Sequence, residues 1–443
     1  MIDKWRFLFE RITRRMWFRA SLYCALGILT ALIGAVVTPV LPSGLAQRIG
    51  ASSVGNILGI LATSMLAVTT FSLATMVSAY GTASTTATPR AAKLLIEDTS
   101  AQGSLATFIG AFLFSIVGLI ALSTGIYGDN GRVVLFVATV AVIILITVTL
   151  LSWIEQLSRF GRVGECINLV EGATRRAMKA RADEPRMGGA SLTGAPPTAH
   201  PVVSDTIGYI EYIDMARLGR LSKAHDVDIT IESLPGTFAT PSRTLASSSR
   251  ALDDEVIGDL RKAFVVGDTR TYDNDPRYGL VVLTEIALRA LSPAINDPGT
   301  CIDVIGTVVR LLSGWSDARV SRPEPDEIKF PRVFVPVLRE SDMFDDVFPL
   351  IAREGAHMLE IGIRLQKAFN ALATLDDMPC QDAARQHARD ALARAMAAIT
   401  FAPDRHALLA ATDPSVIDAL NTDVRDDIAV ASSGQSRGVH AGG

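Results

Sequence analysis

Hydrophobic residues are concentrated in the first third of the chain. Four windows there contain no charged residue, and they run over residues 20–47, 49–89, 99–128 and 133–154. A helix crosses a bilayer with about 20 apolar residues, because each residue adds about 1.5 Å. The pattern therefore predicts four transmembrane helices, near residues 21–41, 56–78, 105–126 and 133–153. The first apolar run is longer than the hydrophobic region of a signal peptide, so we expect it to be retained as an anchor.

The distribution of Lys and Arg around these windows predicts an orientation. Six basic residues precede the first span, two lie in the second loop, and the first and third loops hold one each. Six more follow the fourth span, within residues 159–181. Because basic loops are retained on the cytoplasmic side, we expect a multi-pass protein of the inner (plasma) membrane with both termini cytoplasmic. Residues 1–20 mix aromatic residues with cations, which is typical of an interfacial helix or of a plain basic flank.

The predicted second span is rich in hydroxyl groups, with Thr69, Thr70 and Ser72 near its centre. One interpretation is a membrane path, because hydroxyl oxygens can replace water around an ion. The other is close helix packing, which small and hydroxyl residues permit. None of the four spans carries a charged residue near its centre, which argues against an ion or proton relay of charged groups.

Beyond residue 154 the hydrophobic period changes several times. Residues 155–202 read as a helical extension of the fourth span followed by a linker rich in Pro and Gly. Residues 203–430 are predicted to form a cytoplasmic domain, in which a mixed α/β element of about 50 residues precedes several helices. Among these helices we expect 253–264, 344–375 and 381–399, and we expect a disordered tail over 431–443. The predicted fold class is thus a membrane α protein, with four transmembrane helices followed by a mainly α cytoplasmic domain.

Charge and cysteine content narrow the range of partners. The 443 residues include 42 basic and 46 acidic ones, which gives a net charge of −4. Residues 1–162 carry +6 and the remainder −10, so the first part suits anionic lipid headgroups and nucleic acid is not an expected partner. The four cysteines and six histidines show no metal-ligand spacing, and no phosphate-binding, nucleophile or zinc-protease motif is present. We therefore predict no metal, no cofactor and no catalytic residue.

A dense polar stretch lies between residues 273 and 300. Glu285 and Arg289 are four residues apart on one helix face, and they form either a structural pair or the lining of a polar pocket. Asp297 precedes Pro298, a sequence typical of a helix start. The candidate ligand-binding or structural polar cluster comprises Asp273, Glu285, Arg289, Asn296 and Asp297. The acidic residues of this cluster, together with Asp275, could bind a divalent cation. Helix caps and solvated loops are the more common roles for such residues.

The same stretch carries a family resemblance. The string EIALRALSPAINDP over residues 285–298 resembles a bacterial family of predicted membrane proteins, domain of unknown function family 2254. The strings GYIEYID over 208–214 and PGTF over 235–238 resemble it as well. The resemblance implies an inner-membrane protein, and it implies no reaction, cofactor or catalytic residue.

Two functions follow as hypotheses. The first is a non-enzymatic protein that acts as a channel-like homo-oligomer, a sensor or a scaffold in the lipid bilayer, with a cytoplasmic regulatory domain. The alternative is a membrane-anchored enzyme or small-ligand receptor that uses the polar region from Glu285 to Asp297.

Overall fold

The computed structural model describes residues 51–124, 129–192, 200–321 and 327–422, together with the single positions 21, 25 and 29. Apart from those three positions, the predicted basic segment 1–20 and first span 21–41 lie outside the described residues, as does the predicted tail 431–443. The chain divides into two compact units, residues 2–166 and residues 167–443. The second unit therefore includes most of the region predicted as extension and linker.

The first unit is helical throughout its described part. Its helices are α1 (Ala51–Thr86), α2 (Pro89–Glu97), α3 (Thr99–Ser123) and α4 (Asp129–Leu157). Three of them contain stretches long and apolar enough to cross a membrane, namely Ser53–Thr86, Ser100–Ser123 and Arg132–Leu157. These stretches overlap the predicted second, third and fourth spans. The membrane α-class is thus supported for three apolar helices, while the four-span topology and its orientation stay predictions.

Helices α1 and α3 pack against each other in an antiparallel arrangement. A Cβ atom on Gly55 would lie 3.4 Å from Leu122, and one on Gly118 would lie 3.2 Å from Leu58. In an antiparallel pair, residues at the same height have numbers with a constant sum. Here the sum is 176–177, so a residue of α1 and the α3 residue beside it add up to about that value. The buried residues of α1 lie at helical spacing along one side of the helix, as an amphipathic pattern requires.

The predicted continuation of the last span as one helix is wrong. Helix α4 ends at Leu157, and α5 (Val163–Asp183) begins after a turn. Gly161 adopts a φ of +78° in this turn, and a Cβ atom there would lie 3.4 Å from the carbonyl oxygen of Ala79. A left-handed glycine with little room beside it changes the chain direction where hydrophobic periodicity alone predicted a straight helix.

The described part of the second unit contains two small sheets. The five-stranded sheet has the order β1-β8-β4-β6-β2 and the three-stranded sheet the order β5-β3-β7. The strands are β1 (Gly189–Ser191), β2 (His200–Val203), β3 (Gly208–Ile213), β4 (Ile229–Ile231), β5 (Phe238–Ala239), β6 (Thr244–Ser248), β7 (Phe264–Gly267) and β8 (Phe330–Val335). Their buried side chains form one apolar core with two short helices, α6 (Met215–His225) and α7 (Asp254–Arg261).

Three features of these sheets differ from the prediction. Strand β1 lies in the predicted linker, and it pairs in parallel with β8, about 140 residues later in the chain. Strand β6 was not predicted. Strand β7 occupies the end of the predicted helix 253–264, which stops at Arg261, and it pairs with β3. The mixed element is therefore assembled from distant segments rather than from 50 consecutive residues.

Helices make up most of the other described residues of the second unit. They are α8 (Pro276–Leu291), α9 (Pro298–Val320), α10 (Glu340–Asp345), α11 (Phe348–Glu354), α12 (Leu359–Leu372), α13 (Met378–Ala398), α14 (Ala402–Ala410) and α15 (residues 414–422). The predicted single helix 344–375 is wrong, because the chain breaks at Gly355. A Cβ atom there would lie 2.5 Å from the Cγ2 atom of Ile361, so a larger residue would displace Ile361 at the turn between α11 and α12.

Candidate functional site

The three hydroxyl residues predicted to line a membrane path lie on different sides of α1. Thr70 is exposed and donates a hydrogen bond to the carbonyl oxygen of Leu66 (2.9 Å). Thr69 is half-buried and donates to Met65 (2.7 Å). Ser72 is buried, and its hydroxyl has no hydrogen-bond partner among the described residues. Successive helical residues turn by about 100°, so Thr70 and Ser72 point about 160° apart and cannot line one path.

The register with α3 also sets the level of each hydroxyl. The apolar stretch of α1 has 34 residues, or about 51 Å, whereas a hydrocarbon core is about 30 Å thick. Level pairing places the start of α3 beside about residue 77 of α1. The last turns of α1, with Thr82, Thr85 and Thr86, therefore extend past the end of α3. Hydroxyls at the depth of α3 are those up to about Thr75.

A different face of α1 is open along its length. It consists of small or hydroxyl side chains around one aromatic residue, and all five are exposed: Ser64, Ala67, Phe71, Ala74 and Ser78. Their spacing of three and four residues puts them on one side of the helix. Small residues at this spacing let two membrane helices approach closely. We call these five residues the small-residue face.

The predicted polar cluster in the second unit is only partly brought together. Asp297 caps α9, because its carboxylate accepts a hydrogen bond from the backbone amide of Thr300 (3.1 Å) and one from the Thr300 hydroxyl (2.6 Å). These bonds hold the pKa of Asp297 below its usual value. Asn296 adopts a φ of +50° in the preceding turn, and both residues are exposed. Glu285 and Arg289 are half-buried on the last turns of α8. The predicted cap is confirmed, and a ligand role for this group stays a prediction.

Asp273 does not belong to this group. Asp273 is exposed and precedes the start of α8, whereas Asn296 and Asp297 follow the end of that helix. The 16 residues of α8 separate the two ends by about 24 Å. A single cation cannot be bound by carboxylates at both ends. Among the described residues, no three His, Cys, Asp or Glu side chains are grouped to hold a metal ion.

A buried carboxylate lies at the start of α8 and accepts hydrogen bonds from two residues. Asp275 is 4% exposed, and it caps α8 by accepting a hydrogen bond from the amide of Arg277. Its Oδ2 atom also accepts a bond from Nε of Arg270 (2.7 Å). The Arg270 guanidinium in turn lies 5.3 Å from the ring centre of Tyr278. Burial raises the pKa of Asp275, and the hydrogen bond from Arg270 opposes that shift.

A second arginine reaches the same place from α5. Arg181 is 7% exposed, and its Nη2 atom donates to the carbonyl oxygen of Asn274 (3.3 Å). Burial lowers the pKa of Arg181 to about 10, while the nearby charge of Asp275 favours the protonated form. The Asn274 side chain donates to the backbone of Glu211 in β3 (3.2 Å). We call Arg181, Arg270 and Asp275 the buried ion cluster.

The turn between β4 and β5 packs directly against this cluster. Gly236 adopts a φ of +92°, and a Cβ atom there would lie 2.2 Å from Oδ2 of Asp275. The amide of Gly236 donates to the carbonyl oxygen of Ile210 in β3 (2.8 Å). Two strings that carry the family resemblance, 208–214 and 235–238, therefore contact each other, and the second of them packs against the buried carboxylate of Asp275. Sequence reasoning treated Asp275 as one acid among several and counted Arg181 only as a juxtamembrane cation.

This arrangement favours a structural role over chemistry for the cluster. Asp275 accepts hydrogen bonds from Arg270 and from the backbone, and Arg181 donates one to the backbone, although Nη1 of Arg181 has no hydrogen-bond partner among the described residues. A general acid or base, by contrast, needs access to a substrate proton. The described cysteines are not activated either, because burial raises their thiol pKa values to about 11 for Cys166 and about 12 for Cys301 and Cys380. Nucleophilic cysteines instead have lowered pKa values and access to solvent.

The long apolar helices and the small sheet-containing unit define a mostly helical membrane protein. The chain belongs to the family described as predicted membrane protein (DUF2254), whose sequence model matches residues 13–371. It is also similar to uncharacterized proteins of Mycobacterium bovis and Mycobacterium tuberculosis, at 29% identity over 143 residues. That match covers 31% of this chain and 27% of each relative. No solved structure matches the chain.

Proposed function

We propose that this protein is a non-enzymatic, channel-like membrane protein that self-associates through α1 and carries a regulatory C-terminal domain. The small-residue face of α1 is the observation that supports this function. It is exposed over about four turns within an apolar helix, while the opposite side of α1 is buried against α3. We further propose the inner membrane as the location and the cytoplasm as the side of the C-terminal domain, as the distribution of basic residues predicts.

Self-association explains why such a face occurs on a membrane-spanning helix. Association between helices in lipid depends on packing and hydrogen bonds, because lipid tails are as apolar as leucine. Small residues at the contact bring two backbones together, and the hydroxyl oxygens of Ser64 and Ser78 then lie at the contact. Three or four helices from one chain rarely enclose a pore, so an assembly of several copies is the simpler arrangement for conduction.

The first test of this function is a bulky substitution on the small-residue face. We expect Ala74→Leu to lower both the oligomeric mass in mild detergent and the ion flux through proteoliposomes that contain the full-length protein. Ala141→Leu is the matched control, because Ala141 is also exposed and lies on α4. A monomeric wild-type protein, or equal behaviour of the two variants, would contradict the proposal.

The second test separates path from packing. Thr70→Val removes an exposed hydroxyl at the depth of the bilayer and keeps the shape of the side chain. Thr147→Val is the control on α4, where Thr147 is exposed and donates to its own helix at Ile143 (2.8 Å). Reduced flux in Thr70→Val alone would support a role of hydroxyls in conduction. Unchanged flux would leave the hydroxyls of α1 as packing groups, and it would not affect the assembly proposal.

A further inference from the structure

A buried histidine connects two helices of the second unit. His387 lies on α13, is 7% exposed, and borders a cleft of about 1060 Å³ between α10, α13 and α15. Its Nδ1 atom lies 2.8 Å from the carbonyl oxygen of Ala383 on the same helix. Its Nε2 atom lies 3.1 Å from Oδ1 of Asp345, the last residue of α10, whose side chain is 63% exposed in the cleft. We call the second of these the His387–Asp345 contact.

The number of hydrogen bonds that this ring donates depends on its protonation. A carbonyl oxygen and an ionised carboxylate only accept hydrogen bonds, whereas a neutral imidazole has a single N–H. The neutral ring therefore donates to Ala383 or to Asp345, and its other nitrogen then faces an oxygen lone pair. The protonated ring donates to both and compensates the charge of Asp345. Histidine ordinarily changes its charge between pH 5 and 8, so the contact is stronger on the acidic side of that change.

The elements around the ring supply aromatic rather than charged neighbours, apart from Asp345. Helix α10 presents Phe344, α11 presents Phe348 and α12 presents Phe369 to the ring, with centres 5.5, 6.2 and 6.5 Å away. The residues of α15 that line the cleft are uncharged: Ser415, Val416 and Ala419.

The other charged side chains that line the cleft or lie beside it are mostly paired with opposite charges. These pairs each join a carboxylate to a guanidinium: Glu340 with Arg319, Asp342 with Arg339, and Asp382 with Arg385. Further charged residues there are Arg389, which contacts Gln386, and Asp413, which lies near Arg385. The attraction between two charges falls with distance, so Asp345 at 3.1 Å is the strongest single influence on the charge of His387.

The same end of α10 is bonded to α8. Arg277 donates from Nε and Nη2 to the two carboxylate oxygens of Asp346 (2.6 and 2.9 Å). The hydroxyl of Thr284 donates to the carbonyl oxygen of Asp346 (3.2 Å). Because Asp345 and Asp346 are neighbours in the chain, a shift of this end of α10 acts on both contacts. The contacts thus form a path from the ring of His387 through α10 to α8.

We propose that the His387–Asp345 contact is a pH-dependent switch, which holds α10 against α13 when the imidazole is protonated and loosens when it is neutral. Through Asp346 and Arg277 the switch biases the position of α8. The inference rests on the regulatory role of the C-terminal domain in the proposed function, and it makes the proton the signal for that role.

The first experiment measures the unfolding midpoint of the full-length protein in detergent as a function of pH. Trp5, Trp17 and Trp153 are changed to Phe, so that the fluorescence of Trp315, which is 5% exposed, reports the second unit. Near pH 5.5, Asp345→Asn should lower the midpoint by about 2–4 °C, because the protonated ring loses its charged partner. This difference should shrink toward pH 8, where the ring is neutral.

Two further variants complete this experiment. His387→Gln should show the same pH-dependent loss, and the double variant should lose little more than the larger single loss, since both changes remove one contact. Asp376→Asn is the matched control, because Asp376 is also an exposed acid, and its midpoint should follow wild type at every pH. A loss in Asp345→Asn that stays constant with pH, or that equals the loss in the control, would overturn the switch. This comparison decides the matter even if His387→Gln fails to fold.

The second experiment follows amide hydrogen exchange in α8, corrected for the intrinsic pH dependence of exchange. Protection of α8 in the wild type should fall as the pH rises from about 5.5 to about 8, and Asp345→Asn should abolish this change. Protection that ignores pH, or that changes equally in the variant, would refute the link to α8. Neither experiment uses flux or assembly, so a failure here leaves the tests on α1 standing, and a failure there leaves these results standing.

Discussion

Removal of the Asp275 carboxylate is the sharpest test of the buried ion cluster. Asp275→Ala removes the cap of α8 and the partner of Arg270, which is itself only 20% exposed. Loss of a cap costs about 1 kcal/mol, and breaking a buried pair costs about 3–5 kcal/mol because the remaining charge is unpaired. The two losses share one side chain, so we expect about 3–5 kcal/mol in total.

Asp275→Asn divides this effect into its parts. Asparagine is as good a cap as aspartate, so only the charge-assisted bond from Arg270 is lost, at about 1.5–3 kcal/mol. The neutral side chain also avoids the burial cost that raises the pKa of Asp275. The order of stability should therefore be wild type, then Asp275→Asn, then Asp275→Ala.

The structure supplies an assay for unfolding of this unit. Cys301 and Cys380 are buried in it, so a thiol-reactive dye reports their exposure on heating. The full-length protein carries Cys24→Ala and Cys166→Ala for this purpose. At about 2–4 °C per kcal/mol, Asp275→Ala should lower the midpoint by roughly 6–20 °C.

Asp268→Ala is the matched control, because Asp268 is an exposed acid seven residues earlier. It should shift the midpoint by no more than about 2 °C, as surface substitutions do. If the Asp275→Ala and Asp268→Ala variants have the same unfolding midpoint, the cluster does not stabilise this unit and the reasoning is refuted.

Three further predictions use the same assay or reagent. Gly279→Ala should destabilise the second unit by about 1–3 kcal/mol or more, because a Cβ atom at residue 279 would lie 1.7 Å from Oγ1 of Thr174. Adding Thr174→Ala should recover part of that loss, and additive losses in the double variant would contradict the prediction. Arg310 lowers the pKa of Glu171 from its ordinary value of 4.5, so the ionised pair stabilises above pH 4.5 and the contribution is lost as the pH falls through the lowered value. Glu171→Gln should thus lower the midpoint at pH 7, and a difference from wild type that does not shrink as the pH is lowered progressively below 4.5 would contradict the assignment. In a Cys24→Ala background, a maleimide at pH 8 should label the protein only after denaturation. The remaining thiols, those of Cys166, Cys301 and Cys380, are buried and have raised pKa values. Rapid labelling of the folded protein would refute this prediction.

Local sequence signals predicted the helices well where one physical requirement dominates. Long continuous apolar windows favour helices, because a helix satisfies its backbone in lipid with hydrogen bonds inside one segment. Three of the predicted spans are apolar helices in the structure. Asp297 with Pro298 predicted a helix start, and the carboxylate caps α9 as expected. The breaks at Gly161 and Gly355 were missed, because nothing in the hydrophobic period shows that the chain turns there.

The sheet and the ion cluster could not be predicted, because they depend on distant segments. Strand β1 has three residues and pairs with a strand about 140 residues away. Arg181 meets Asn274 across 93 residues, and its position among other basic residues suggested a membrane flank. A single sequence gives no signal that one of several juxtamembrane arginines is buried. The strings 208–214 and 235–238 were noticed for their resemblance, and only the fold shows that they contact each other beside Asn274 and Asp275.

Helix α5 gives the proposed regulatory role a physical route along the chain. It follows α4 after a five-residue turn, and two of its side chains are fixed against α8. Thr174 occupies the space that Gly279 leaves open, and Arg181 donates to the backbone just before α8 begins. Because both contacts are buried and closely fitted, α5 cannot rotate without moving α8 or losing the bond to Asn274. A change in the C-terminal unit that moves α8 would therefore be transmitted to α5, and rigid coupling of this kind is what a regulatory domain requires.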